Sequence, residues 1–127
     1  MSRGKEMSPD ALARRLAAIA DDKKATDLVA LEVRTLVSYT DYLVICTARN
    51  ERQAKAIHDE VYHQLKRDGW LPARVEGERE AEWVLMDYLD AVLHIFTPEL
   101  RERYRLEVLW GEAGRLELDL AGARGAA

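Results

Sequence analysis

Cysteine and long apolar runs are what this 127-residue chain has least of. With Cys46 as its one cysteine it can form no internal disulfide, so we expect a reducing compartment. Its apolar runs stay far below the ~18 residues that suggest a membrane span. The first ten residues, MSRGKEMSPD, lack the apolar stretch of a secretory signal. The expectation is a cytoplasmic protein of about one domain.

Motifs for cofactor and metal chemistry are scarce as well. The chain contains neither G-x-G-x-x-G nor a P-loop, so it lacks the usual phosphate cradles. His58 and His63 are separated by roughly 140° around a helix and share no face, which is typical of surface histidines. Cys46 lies in an apolar strand pattern, as a small core residue does. We therefore expect no cofactor and no metal.

Apolar periodicity predicts seven elements in the order α-β-β-α-β-β-α. This order without repeated βαβ units indicates an α/β (α+β) fold, a single-domain mixed β-sheet flanked by helices. The run over 41–48 is almost continuously apolar, which predicts a strand buried on both faces. The predicted elements are a helix from Pro9, strands over 28–33 and 41–48, a helix from Asn50 to Gly69, a hairpin of strands over 82–88 and 91–97, and a helix from Pro98 to about Trp110.

The acidic residues are distributed unevenly. The net charge is −4, and the stretch EGEREAEWVLMDYLD (76–90) holds six acids and one base, whereas the other residues hold 18 bases and 17 acids. A phosphate backbone is therefore an unsuitable partner for this segment, and a basic protein surface or a metal suits it better. The six acids are Glu76, Glu78, Glu80, Glu82, Asp87 and Asp90.

Trp83 lies inside this acidic segment and has two interpretations of equal weight. A tryptophan in a strand normally packs into the core. An aromatic ringed by carboxylates is instead typical of an interface anchor with a polar rim. An enzymatic hypothesis remains beside them, in which Asp87 and Asp90 hold a divalent cation and His94 acts as a base in a metal-dependent, nucleotide-handling enzyme. A generic dimeric interaction domain is a third, weaker hypothesis.

Three stretches together resemble one known family. DYLVICTARNERQAKAI, RVEGEREAEWVLMDYLDAVLHIFTPELRERY and LEVLW are similar to the ribosomal silencing factor family, also called Iojap or RsfS, over residues 21–110. The resemblance implies a nucleotidyltransferase-like fold without the catalytic motif and a role that is not catalytic. It implies binding to the large ribosomal subunit through the ribosomal protein numbered fourteen. Joining of the small subunit would then be blocked, and translation repressed, when nutrients are scarce.

The resemblance also implies the binding residues. Trp83 and Tyr88 match the partner-binding aromatics of the family, and Glu82, Asp87 and Asp90 match the neighbouring acids. The family domain is expected over residues 1–110, followed by a mobile Gly/Ala-rich tail over 111–127. A homodimer is plausible for such a protein.

Two local features complicate this assignment. The family commonly has a glycine where this chain has Leu89, so we expect the turn to adopt a geometry without positive φ. Strand alternation places Trp83 and Tyr88 on opposite faces, unless the strand ends or bulges between them.

Overall fold

A computed structural model describes residues 6–120 of the chain. These residues form a six-stranded sheet and four helices. The helices are α1 (Pro9–Asp22), α2 (Glu51–Arg67), α3 (Pro98–Tyr104) and α4 (Leu106–Leu109), and the strands are β1 (Thr26–Glu32), β2 (Tyr42–Thr47), β3 (Arg74–Glu76), β4 (Trp83–Asp87), β5 (Ala91–Phe96) and β6 (Gly114–Arg115).

The sheet is mixed, as predicted, with the strand order β3-β4-β5-β2-β1-β6. β2 and β5 run parallel at its centre, and the other neighbouring pairs are antiparallel. All six residues of β2 are buried, which confirms the prediction from its apolar run. β4 and β5 form the predicted hairpin, in which Trp83 is paired with Phe96 and Leu85 with His94.

The ends of α1 and α2 lie close to their predicted positions and are capped by local hydrogen bonds. The Ser8 side chain accepts a hydrogen bond from the Ala11 amide, and the Asn50 side chain accepts one from Gln53. Gly69 has φ +88° just after α2, and the Trp70 amide donates a hydrogen bond to the Leu65 carbonyl. This is the left-handed termination that glycine favours.

The two faces of the sheet are covered differently. α1 and α2 cover what we call the helix face, whose core includes Val84 and Met86 of β4 and Tyr88 directly after it. The second face is covered by α3, α4 and neighbouring loops, around a smaller cluster that includes Phe96. Neither α3 nor α4 has a buried residue. The second face therefore has the thinner cover.

Two predictions about the C-terminal part need correction. The single helix expected from Pro98 to about Trp110 is interrupted at Arg105, which adopts φ +43° between α3 and α4. The break turns the chain so that Leu106 and Trp110 pack against the second face.

The segment after Gly111 was assigned to a mobile tail, yet it contains β6. This strand pairs with β1, and the Leu116 amide donates to the Ala30 carbonyl. Leu120 is buried against the helix-face core. The part of the predicted tail over 121–127 lies outside the described residues.

Candidate functional site

β4 presents different residues to the two faces of the sheet. Val84 and Met86 are buried, whereas Trp83, Leu85 and Asp87 alternate with them and are half-buried. This is the period-two pattern of a strand with one sealed face. β4 has only the three-residue strand β3 outside it, so its second-face residues lie near the margin of the sheet.

Trp83 lies at the start of β4 on the second face. Its ring centroid is 4.9 Å from that of Phe96, its cross-strand partner, and 4.7 Å from that of Tyr104 at the end of α3. Tilted pairs at such distances are favourable aromatic contacts. The indole packs on a core aromatic and keeps part of its surface in solvent, so its role as an interface anchor stays a prediction.

Tyr104 is an aromatic neighbour that the sequence analysis missed. It is 46% exposed beside Trp83. α3 is anchored at its start by the Thr97 amide, which donates to the Glu82 carbonyl over 3.0 Å. Arg101 donates through Nη1 to Thr47 Oγ1 over 2.8 Å and pairs with Glu107 of α4. These contacts hold Tyr104 over the second face.

His94 lies beneath Trp83 in β5. The indole Nε1–H donates to His94 Nδ1 over 2.9 Å, and only 6% of the histidine surface is exposed. Burial lowers the pKa of His94 to about 4, because the cation would lose its hydration. His94 is therefore neutral near pH 7, and Nδ1 is available as an acceptor.

An acidic rim lies along the outer side of Trp83 and Leu85. Glu76 of β3 is the cross-strand neighbour of Leu85, and Arg74 is the neighbour of Asp87. Directly opposed residues share a face, so Glu76 and Asp87 lie on the same side as Leu85. Arg74 forms ion pairs with Glu76 at 3.3 Å and Asp87 at 3.9 Å. The loop between β3 and β4 adds the exposed acids Glu78, Glu80 and Glu82.

We call Trp83, Leu85, Asp87, Glu76 and Tyr104 the aromatic-acidic strip. Its apolar middle and charged border are the composition expected of a protein-binding surface.

The turn after β4 corrects the expectation about Leu89. Leu89 has φ +73°, so the turn keeps the left-handed geometry that glycine favours, and leucine occupies it. Asp87 Oδ1 accepts a hydrogen bond from the Leu89 amide over 2.8 Å, which stabilises the turn. Leu89 itself is 52% exposed. Asp87 therefore has a structural role in addition to its place in the strip.

Tyr88 does not share a surface with Trp83. Only 2% of it is exposed, within the helix-face core, as alternation along the strand predicts. Burial raises the pKa of its phenol, and the hydroxyl has no hydrogen-bond partner within the described residues. Of the other sequence-predicted residues, Glu82 is exposed and Asp90 is half-buried at the hairpin turn.

The constellation of the enzymatic hypothesis does not assemble into a recognisable metal site. Asp87 binds the Leu89 amide and pairs with Arg74, while the Asp90 carbonyl accepts hydrogen bonds from Asp41 and Tyr42. His94 has Nδ1 occupied by Trp83. Across residues 6–120 there is no group of three His, Cys, Asp or Glu side chains suited to hold a metal ion. In the same range, no helix has the length and hydropathy needed to cross a membrane.

Comparison with known families decides the assignment. The family model described as "Ribosomal silencing factor during starvation" matches residues 5–126. The chain belongs to the ribosomal silencing factor family. The match extends past residue 110, so it includes the segment that the sequence analysis had assigned to a tail.

Individual proteins similar to this chain agree with this assignment. The chain is 37% identical over 113 residues to the ribosomal silencing factor RsfS of Bacillus subtilis, covering 89% of this chain and 96% of that one. A crystal structure of a Chromobacterium violaceum protein superposes with a TM-score of 0.80 at 28% identity, covering 95% of this chain and all of the other. A mouse protein named "Mitochondrial assembly of ribosomal large subunit protein 1" is 32% identical over 98 residues, covering 75% of this chain and 43% of that protein.

Proposed function

We propose that this ribosomal silencing factor docks on the large ribosomal subunit through the aromatic-acidic strip and blocks joining of the small subunit. The observation that carries the proposal is the placement of Trp83, partly exposed at the margin of the sheet between Tyr104 and a rim of carboxylates. The family description supports an action on the ribosome, and the name of the mouse relative supports the large subunit.

The aromatic part of the strip supplies the apolar contact. A tryptophan loses little side-chain freedom on binding and buries a large area, so such residues are often the main anchors of interfaces. Phe96 supports the indole from below and Tyr104 contacts it from α3. A partner that covers Trp83 and Tyr104 would therefore meet a preformed surface, with little ordering required.

The acids in and beside the aromatic-acidic strip determine which partner it attracts. Glu82 directly precedes Trp83, and Glu78 and Glu80 are exposed in the loop before it, where Arg79 is the one base. Arg74 pairs with Glu76 and Asp87, so the loop acids supply most of the uncompensated negative charge. Such a surface attracts a basic protein patch and repels phosphate. We propose the ribosomal protein numbered fourteen as the partner, as the family resemblance implies. The protein would act in the cytoplasm, where it meets ribosomal subunits.

We propose that the action is steric and not catalytic. Asp87 supports the hairpin turn, and His94 supports Trp83, so both have structural partners in place of a substrate. If the enzymatic alternative holds, a nucleotide with Mg²⁺ should raise the melting temperature, because a ligand that binds the folded state stabilises it. An unchanged melting temperature at millimolar nucleotide supports the steric mechanism.

Subunit joining is the direct test. Purified protein should co-sediment with large subunits on a sucrose gradient and reduce the amount of joined ribosomes when small subunits are added. Glu82→Lys should weaken the effect, and more so at low salt, because exposed charges are screened within about 8–10 Å at physiological ionic strength. Asp59→Lys, an exposed change on α2, is the matched control. Undiminished joining at saturating wild-type protein would disprove the proposal.

We also propose that copies of the protein pair. Val108 and Leu109 of α4 are about two-thirds exposed, and Leu36 lines the same surface depression. Large apolar side chains in such a position suit contact with a second copy. Sedimentation velocity across a range of concentrations should detect a dimer that Leu109→Glu disrupts, and a monomer at every concentration would rule the pairing out.

A further inference from the structure

His94 is the one residue of β5 that its position in the core does not explain. The strand reads AVLHIF, its six residues are all buried, and the other five are apolar. Burying an imidazole removes it from water, which is unfavourable unless a hydrogen bond compensates. An apolar side chain would fill the same position without that penalty.

The contact that explains the histidine is the bond from Trp83. The indole Nε1–H donates to His94 Nδ1 over 2.9 Å, and the two rings lie 5.9 Å apart between centroids. Because Nδ1 is the acceptor, the imidazole carries its proton on Nε2. The bond therefore requires the neutral histidine in one tautomer.

The hydrogen bond fixes the orientation of the Trp83 indole, which the aromatic contacts alone do not. Phe96 and Tyr104 approach the indole at interplanar angles of 31° and 41°, and such contacts tolerate sliding and rotation of the rings. An N–H···N bond is directional and weakens steeply away from linearity. His94 thus determines which edge of Trp83 points inward, and hence which part of the ring stays exposed.

We propose that His94 is a positioning residue of the docking site, which holds the Trp83 indole in the orientation that the partner binds. The inference rests on the proposed function, since it takes Trp83 as the anchor. Because the indole is already held in this orientation, docking does not incur the entropy cost of ordering it, and the affinity is higher. Loss of one such bond, with the indole left free to turn, corresponds to about a tenfold loss of affinity.

Two substitutions at the same position separate positioning from packing. His94→Leu keeps an apolar side chain in the strand and removes the acceptor. His94→Asn places an amide oxygen close to the position of Nδ1 and restores the acceptor. Melting temperatures establish that both variants fold. The affinity for purified large subunits and the hydrogen exchange of the Trp83 indole N–H, followed by NMR and assigned with Trp83→Phe, are then compared.

The two variants should differ in both measurements. In His94→Leu the indole N–H should exchange at least about tenfold faster, and large subunits should bind about tenfold more weakly. His94→Asn should recover most of both properties. A folded His94→Leu that binds with wild-type affinity, or whose indole N–H stays as protected as in the wild type, would overturn the proposal.

A second route uses the other partner of the bond. Trp83→Phe keeps an aromatic ring and removes the donor, so it should also weaken binding, and His94→Leu should then add less than about a twofold further change. Full affinity in Trp83→Phe would overturn the proposal even if His94→Leu does not fold. If the wild-type protein fails to bind large subunits, the proposed function is wrong, while the exchange measurement still decides whether His94 orients Trp83.

Discussion

The two faces of β4 and of the turn that follows differ in how completely they are buried. Towards the helix face, Val84, Met86 and Tyr88 are fully packed under α1 and α2. Towards the second face, Trp83 and Leu85 remain half-buried under a thinner cover. The fully packed side therefore contributes most of the stability of the strand, and the half-buried side is the one on which we propose that a partner docks. Mutations on the two faces should therefore separate folding from docking.

Tyr88 should show the largest effect on stability. Tyr88→Ala removes a buried aromatic from the helix face and should lower the free energy of unfolding by about 3–5 kcal/mol. Tyr88→Phe is the matched control, since the hydroxyl has no hydrogen-bond partner in the described structure. That variant should be as stable as the wild type or slightly more stable. Urea titration measures both, and a loss above ~1 kcal/mol in Tyr88→Phe would show that the hydroxyl is satisfied.

Lowering the pH should reduce the stability of the folded protein through protonation of His94. Its pKa falls from 6.5 to about 4 on folding, so the unfolded state takes up a proton first as the pH decreases. The contribution of neutral His94 to the free energy of unfolding is fully present above pH 6.5. It should be lost as the pH falls to 4, which lowers the free energy of unfolding by roughly 3 kcal/mol. Urea titrations at several pH values, compared between wild type and His94→Asn, isolate this contribution. Identical pH profiles in the two proteins would show that His94 is not responsible.

A substitution at Gly77 probes the close packing between the acidic loop and the start of β4. Gly77 has φ +80°, and a Cβ there would collide with the Trp83 carbonyl oxygen. Gly77→Ala should therefore destabilise the protein by roughly 2–3 kcal/mol, from the left-handed backbone and the displaced strand start. Gly114→Ala is the control, because a Cβ at that site meets nothing within 4 Å. Equal melting temperatures for the two variants would contradict this account of the loop.

Leu89 should give the smallest change, and in the opposite direction. Its φ of +73° strains a leucine but not a glycine. Leu89→Gly should raise the free energy of unfolding by about 1 kcal/mol, with the larger flexibility of glycine in the unfolded chain offsetting part of the relief. Leu71→Gly, at another exposed leucine with no positive φ, should bring no such gain. A destabilised Leu89→Gly would mean that the turn is not strained.

The hairpin and the helix ends could be predicted because their signals are local. Asn50 and Gly69 carry capping preferences of their own, and alternation along β4 assigned Tyr88 to the face opposite Trp83. The Trp83–Phe96 pair also follows once the turn at Leu89 fixes the register. The family resemblance carried Tyr88 over as a partner-binding residue, whereas burial places it in the core.

The rest of the site depends on contacts between distant parts of the chain. Tyr104 contacts Trp83 from the last position of α3, a contact between residues 21 apart that no local pattern indicates, and Pro98 to Trp110 has the sequence appearance of one helix. β6 consists of a glycine and an arginine, which have no strand preference, and it exists because β1 offers it a free edge. The Trp83–His94 bond joins positions whose proximity is visible only in the folded hairpin.

The affinity of Trp83→Ala for large ribosomal subunits tests the central claim most directly. Tyr62→Ala is its control. Tyr62 is a half-buried aromatic on α2, which packs on the opposite side of the sheet from Trp83. Trp83→Ala should remain cooperatively folded, with a melting temperature within a few degrees of the wild type, and should bind large subunits at least ~2 kcal/mol more weakly, or about 30-fold. Tyr62→Ala should bind as the wild type does. Wild-type affinity in a folded Trp83→Ala would show that the aromatic-acidic strip is not the docking surface.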